Sequence, residues 1–132
     1  MKSFSMLSVA TAVVFAALTG SALAAGDAGA GEKVFAKCKS CHQVGEGAKK
    51  AIGPELNGLN GRKAGSTEDY TYSEPMKTSG ITWDEASFLE FIKNPKAKVP
   101  GTKMVFQGLS SDKDAGDLWA YLSSFGADGK KK

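Results

Sequence analysis

The hydrophobic and polar positions of the chain fall into three helical patterns separated by one long stretch without periodicity. Asp27 can cap a helix running to about Cys38, with Val34, Phe35 and Cys38 on one face. Gly29 and Gly31 each weaken such a helix by about 1 kcal/mol relative to Ala. That cost points to close approach of another backbone, an exposed, frayed start being the alternative. From Gln43 to Ser79 the chain is rich in Gly, Lys, Ser and Thr, and a loop that long suits a compact domain only where it wraps something. Thr82-Trp83-Asp84-Glu85 reads as a capping box. The helix after it carries Phe88, Leu89, Phe91 and Ile92 and stops at Asn94-Pro95. A last helix starts near Ser110 or Ser111, with Leu118, Tyr121, Leu122 and Phe125 at helical spacing and Gly126 as its terminator. Asp128 to Lys132 reads as a frayed polar tail. Strand signals and internal repeats are absent from the sequence, so the fold class is all-α.

The first stretch stands apart from this pattern. A charged start at Lys2, an apolar run from Leu7 to Leu18 and the small-residue end Ser21-Ala22-Leu23-Ala24-Ala25 form the order of a secretory signal peptide. A membrane anchor needs about 20 mostly apolar residues; this run is shorter, and Thr11 and Thr19 interrupt it. The expectation is a leader over 1–25, cleaved after Ala25, and one exported soluble domain over 26–132, with an uncleaved anchor as the alternative. Removal of Lys2 takes the formal charge from +3 to +2, too weak a balance for nucleic-acid binding.

Two cysteines in an exported chain invite a disulfide reading, but their surroundings suggest otherwise. Residues 38–42 read Cys-Lys-Ser-Cys-His. The spacing C-x-x-C-H is the signature of covalent haem attachment. Two thiols one helical turn apart can add to the two vinyl groups on one side of a porphyrin, and the adjacent His42 can reach the iron. A thioredoxin-like pair would sit between a strand and a helix, and nothing before Cys38 resembles a buried strand. A zinc site would want four ligands, where the chain has two Cys and one His.

A single histidine cannot supply bis-histidine ligation. Methionine is the usual partner where the task is electron transfer, and it raises the reduction potential. Met104 follows Pro100-Gly101-Thr102-Lys103 between two helices, where proline and glycine can fix a tight loop. Met76 follows Pro75 in a polar segment. Met104 is therefore read as the second ligand and Met76 as packing.

With these motifs in place the chain resembles class I cytochrome c, close to bacterial cytochrome c2 and the mitochondrial type. The resemblance runs from Gly31 to Leu122 through Gly31-Glu32-Lys33-Val34-Phe35, the Cys38–His42 motif, Gly53-Pro54-Glu55-Leu56, Leu59-Asn60-Gly61-Arg62, Gly80-Ile81-Thr82-Trp83 and Pro100-Gly101-Thr102-Lys103-Met104. It implies a small all-α fold whose terminal helices pack across each other, Gly31 and Phe35 against Leu118 and Tyr121, with loops wrapping one haem c. Cys38 and Cys41 would carry thioether links, and His42 and Met104 would ligate iron. Pro54 would accept from the other imidazole nitrogen. Tyr72 and Trp83 would bond a propionate with Arg62 nearby, and Thr102 belongs to the cofactor-binding set. Three departures stand out: Phe91 where mitochondrial members carry a tyrosine, Met76 where they carry an asparagine, and one residue fewer between Phe35 and Cys38.

A doubly ligated iron has no open position, so the resemblance implies a monomeric one-electron carrier of the periplasm, not an enzyme. Lys37, Lys96, Lys98 and Lys103 would flank the haem edge and steer acidic partners. A cytochrome bc1-type complex, a terminal oxidase, a photosynthetic reaction centre and periplasmic dehydrogenases or reductases all fit as transient partners, without stable membrane insertion. The rival readings are a haem enzyme or gas sensor with a displaceable Met104, and a haem-free dithiol protein.

Overall fold

The computed structural model describes residues 26–132, together with Val14; the expected leader lies outside the described residues. Five helices follow in chain order: α1 (Ala28–Phe35), α2 (Glu74–Lys77), α3 (Glu85–Lys93), α4 (Pro95–Lys98) and α5 (Asp112–Ser123). Strand pairing among the described residues is limited to two isolated bridges, Lys63 with Thr82 and Phe125 with Lys131. None of the described helices is long and apolar enough to cross a membrane.

Asp27 caps α1 as expected, its carboxylate accepting from the amides of Gly29 and Ala30 at 2.8 and 3.2 Å. The helix ends at Phe35, short of Cys38, and the chain continues in turns. These still carry helical bonds: Cys38 N–H donates to Phe35 O at 2.7 Å, and His42 N–H to Cys38 O at 2.9 Å. Cys38, Cys41 and His42 are thus presented in turn-and-helix register without a continuous helix beneath them.

The two glycines of α1 divide between the two expectations. At Gly31 a Cβ would lie 2.8 Å from Tyr121 Cβ and overlap the Asp117 carbonyl, so α1 and α5 meet backbone to backbone there. At Gly29 the sole neighbour within reach is the capping carboxylate of Asp27. Beside the Gly31 contact, the rings of Phe35 and Tyr121 lie 5.5 Å apart, and Tyr121 meets Phe125 edge-on at 5.2 Å. Gly31→Ala is expected to wedge the helices apart and destabilise the protein by about 1–3 kcal/mol, the usual cost of overpacking, read from urea melts; Gly29→Ala should leave the melt close to wild type.

A buried carboxylate fastens the same helix pair. Asp117 accepts from the Asp27 amide at 2.8 Å and from Lys113 Nζ at 2.6 Å. The Lys113 hydrogen bond, then the Asp27 amide, hold its pKa below the ordinary carboxylate value. A group depressed in the folded state contributes stability that is complete above its unfolded pKa, near 3.9, and is lost as pH falls through the folded value. Urea midpoints should therefore drop below about pH 4, and Asp117→Asn should lower the neutral-pH midpoint while flattening that acid limb.

Helix α3 is capped two residues later than the sequence pattern suggests. Asp84 is the N-cap and Ser87 its reciprocal partner, exchanging bonds of 2.8 and 3.0 Å; Thr82 is instead engaged in the bridge to Lys63. The two orphan amides are satisfied with a serine where the pattern expects Glu85. Asn94 then closes α3 and caps α4, whose first residue is Pro95. Ser111 caps α5, accepting from Asp114 N–H at 3.2 Å. Helices α3 and α5 pack through Phe88 and Trp119, ring centroids 5.1 Å apart.

The far end of α5 corrects two expectations. The helix stops at Ser123, two residues before Phe125 and three before Gly126, and residues 126–132 fold back on it. Gly126 N–H donates to Lys130 O at 2.8 Å and Lys132 N–H to Ser124 O at 2.8 Å, while Lys131 Nζ lies 5.6 Å from the Phe125 ring centroid. The polar end of the chain is a closed hook, because its backbone groups find partners that a frayed tail would leave to water.

Candidate cofactor cavity

The long polar stretch wraps a cavity, as its length suggested. The walls come from three places: the turn carrying Cys38, Cys41 and His42; the loops at Ile52–Leu59, Arg62 and Tyr70–Met76; and the 102–106 segment with the inner faces of α3 and α5. Met76 belongs to α2, a short helix within a segment read as irregular. Phe88, Phe91, Ile92, Leu118 and Leu122 are buried core residues that also line the cavity. A core whose own side chains border a large opening is built to close around a guest.

All nine residues singled out from the sequence line this cavity: Cys38, Cys41, His42, Pro54, Arg62, Tyr72, Trp83, Thr102 and Met104. His42 is oriented from behind. Its Nδ1–H donates to the Pro54 carbonyl at 2.8 Å, which leaves the lone pair of the neutral ring on Nε2. Gly53 permits this approach, since a Cβ there would stand 2.8 Å from Nδ1. Burial lowers the His42 pKa, the Pro54 bond opposing that shift and the positive charge of Arg62 adding to it. The ring is held neutral, the form that binds metal.

Burial pushes the Cys38 thiol up to about 11, with Cys41 adding to the rise and Lys37 opposing it. A redox dithiol needs a lowered thiol pKa, so this environment opposes the thioredoxin-like reading. Among the described residues no group of three His, Cys, Asp or Glu side chains could hold a metal ion.

Met104 is presented by its loop. Its amide donates to Thr102 Oγ1 at 3.2 Å, and Lys103 Nζ reaches the Thr71 carbonyl at 2.9 Å. Gly101 turns the chain with φ of +87° close against Pro75. Met76 packs against the core and lines the cavity too. Phe91 is buried edge-on to Trp83, ring centroids 5.1 Å apart.

Trp83 and Arg62 are held together by the short ladder at 61–64 and 81–83, Trp83 N–H donating to Arg62 O at 2.9 Å. Among the described residues, neither the Trp83 indole N–H nor the Tyr72 hydroxyl has a protein partner, and no buried side-chain polar atom is left unsatisfied. Two donors left without protein acceptors on a cavity wall suit an anionic guest. Arg62 lines the same cavity and also pairs with Glu55 at 3.1 Å.

Tyr70 is a cavity residue the sequence reading missed. Its hydroxyl donates to Ile52 O at 3.0 Å, and its ring meets Tyr72 edge-on at 4.8 Å. The alternation Tyr70-Thr71-Tyr72 was the available signal, since residues i and i+2 of an extended segment share a face. Of the four lysines expected at the rim, Lys37 and Lys103 line the cavity; Lys96 and Lys98 do not, and Lys98 is paired with Glu90.

Comparison with known proteins agrees with this geometry. The family model described as cytochrome c matches residues 28–126. The chain is 70% identical over 132 residues to cytochrome c-554 of Methylosinus trichosporium, covering 100% of both chains. It is 57% identical over 107 residues to cytochrome c2 of Rhodoblastus acidophilus, covering 81% of this chain and 100% of that one. Among solved structures, cytochrome cH from Methylobacterium extorquens superposes with a TM-score of 0.70 at 50% identity, over 74% of this chain and 97% of that one. With the C-x-x-C-H spacing met at Cys38, Cys41 and His42, this chain belongs to the cytochrome c family of haem-carrying electron-transfer proteins.

Proposed function

We propose that the protein is a soluble periplasmic one-electron carrier in which His42 and Met104 ligate the iron of the haem c borne on Cys38 and Cys41. The observation that carries the ligand assignment is the Nδ1–Pro54 hydrogen bond at 2.8 Å, which fixes the imidazole tautomer and orients the ring as partners behind a ligating histidine do. Haem c supplies a reversible Fe(II)/Fe(III) couple. The chain supplies the rest: Thr102 holds the Met104 amide, Tyr72 and Trp83 offer donors to the propionates, and the aromatic faces of Phe88 and Phe91 keep water out.

With His42 and Met104 both holding the iron, no position would be left for a substrate, so the bound group would exchange electrons without bond making. Lys37 and Lys103 lie where they can steer an acidic partner. A cytochrome bc1-type complex, a terminal oxidase, a reaction centre or a periplasmic dehydrogenase or reductase would meet it in a small, transient contact. The periplasmic location rests on the leader over 1–25, and the monomeric state on the absence of any need for a second copy at the site.

The test is made on protein purified from periplasm. Haem should stay with the polypeptide after denaturation, and the reduced protein should fail to bind carbon monoxide. Ready carbon monoxide binding would favour a sensor or enzyme with a displaceable Met104, and loss of haem on denaturation would remove covalent attachment.

A further inference from the structure

Arg62 is held in a way that its place on the cavity wall does not by itself require. Its Nη1 donates to Glu55 Oε1 and to the Asn57 carbonyl, both at 3.1 Å, and its Nη2 donates to the Glu55 carbonyl at 2.9 Å. Three of its five N–H donors are thereby committed to the chain. The Glu55 carboxylate is itself fixed, its second oxygen accepting from the Asn57 amide at 2.6 Å. Asn57 in turn clamps Gly45 through two bonds of 2.8 Å, Nδ2 to the carbonyl and Oδ1 from the amide. Neither charge is free in solvent: the Arg62 and Glu55 side chains are 16% and 21% exposed.

We infer that Glu55 sets the reduction potential of the bound haem, its immobilised carboxylate offsetting the charge of Arg62 at the cavity wall and so favouring the oxidised, more positive state. This rests on the haem reading above. Arg62 then acts toward the cavity as an oriented hydrogen-bond donor with little net field. Screening by salt is weak for a pair buried to this extent. Glu55 lies behind Arg62, outside the cavity lining, so it acts through the field and through Arg62, as a positioning residue.

The experiment is redox titration of the holoprotein and of Glu55→Gln and Glu55→Asp. Gln keeps the shape and one of the two acceptor oxygens while removing the charge; Asp keeps the charge. Glu55→Gln should raise the reduced-to-oxidised ratio at a fixed ambient potential severalfold, the scale expected when one unit charge is removed from a partly buried site at an effective dielectric of about 20. Glu55→Asp should stay near wild type. An unchanged Gln variant, or equal shifts in both variants, overturns the inference, the second result assigning the effect to displacement of the loop. If Glu55→Gln does not mature, Glu55→Met answers in its place: a neutral side chain of similar length should raise the ratio in the same sense, and an unchanged or lowered ratio overturns the inference. A wild-type protein without covalent haem would instead overturn the functional reading on which this one stands.

Discussion

A chain in which Cys38 and Cys41 are both alanine is expected to lose its cooperative helical melt. The cavity is walled by the same residues that make the core, among them Leu59, Phe88, Phe91, Ile92, Leu118 and Leu122. Burying each such side chain contributes about 1.5–3 kcal/mol, and the face each turns to the cavity has a bound group as its packing partner. Domains of this size are stable by about 5–15 kcal/mol in total, so forfeiting several such contacts is enough to abolish folding. The loops have little else to hold them. Between Gln43 and Ser73 they contain no helix, and their order depends on scattered bonds such as Leu56 N–H to Gln43 O at 3.0 Å. Far-ultraviolet circular dichroism of the haem-free variant should show low helicity and a broad transition. A sharp, native-like melt would mean that the α1–α5 contact and the α3–α5 packing suffice alone.

What could be read from the sequence follows from how chemistry constrains residue order. Haem attachment needs two thiols and a ligand within five consecutive residues, so Cys38, Cys41 and His42 are legible as a string. Met104 is legible as a cavity residue because its loop is written in Pro100 and Gly101, residues with few uses other than fixing backbone. Gly31 was legible as a close approach because its cost inside a helix needs a reason, but the same logic misplaced Gly29, whose neighbour is its own cap. The Glu55–Arg62 pair joins positions seven apart in a segment without periodicity, and no local pattern marks it. Ser87 as the reciprocal cap of Asp84 was hidden by the more familiar Thr82–Glu85 spacing, which the bridge to Lys63 overrode. The hook at 126–132 was hidden for a different reason: polar composition suggests solvation, while the bonds that close the hook are made by backbone and by Lys131 over Phe125.

Met104→Ala should leave the haem attached and remove its sulfur ligand. The ferric spectrum should lose its sulfur-to-iron absorption near the red end, and the potential should fall by roughly 0.1–0.3 V, a part of the ~0.8 V that axial ligands span. The sign follows from the thioether's preference for Fe(II). An open position should also appear, so the reduced variant should bind carbon monoxide where the wild type does not. Met76→Ala is the matched control, because Met76 lines the same cavity and sequence alone offers two methionines. The two are held differently. The Met104 amide is bonded to Thr102 on a loop tied by Lys103 to the Thr71 carbonyl, whereas the Met76 amide is spent capping α2 on Ser73. Thr102→Val, which removes the hydroxyl and keeps the shape, should weaken the sulfur band without abolishing it if the loop holds the ligand in place. Loss of the band in Met76→Ala with its survival in Met104→Ala would reverse the assignment and make α2, not the 100–104 loop, the ligand-bearing segment.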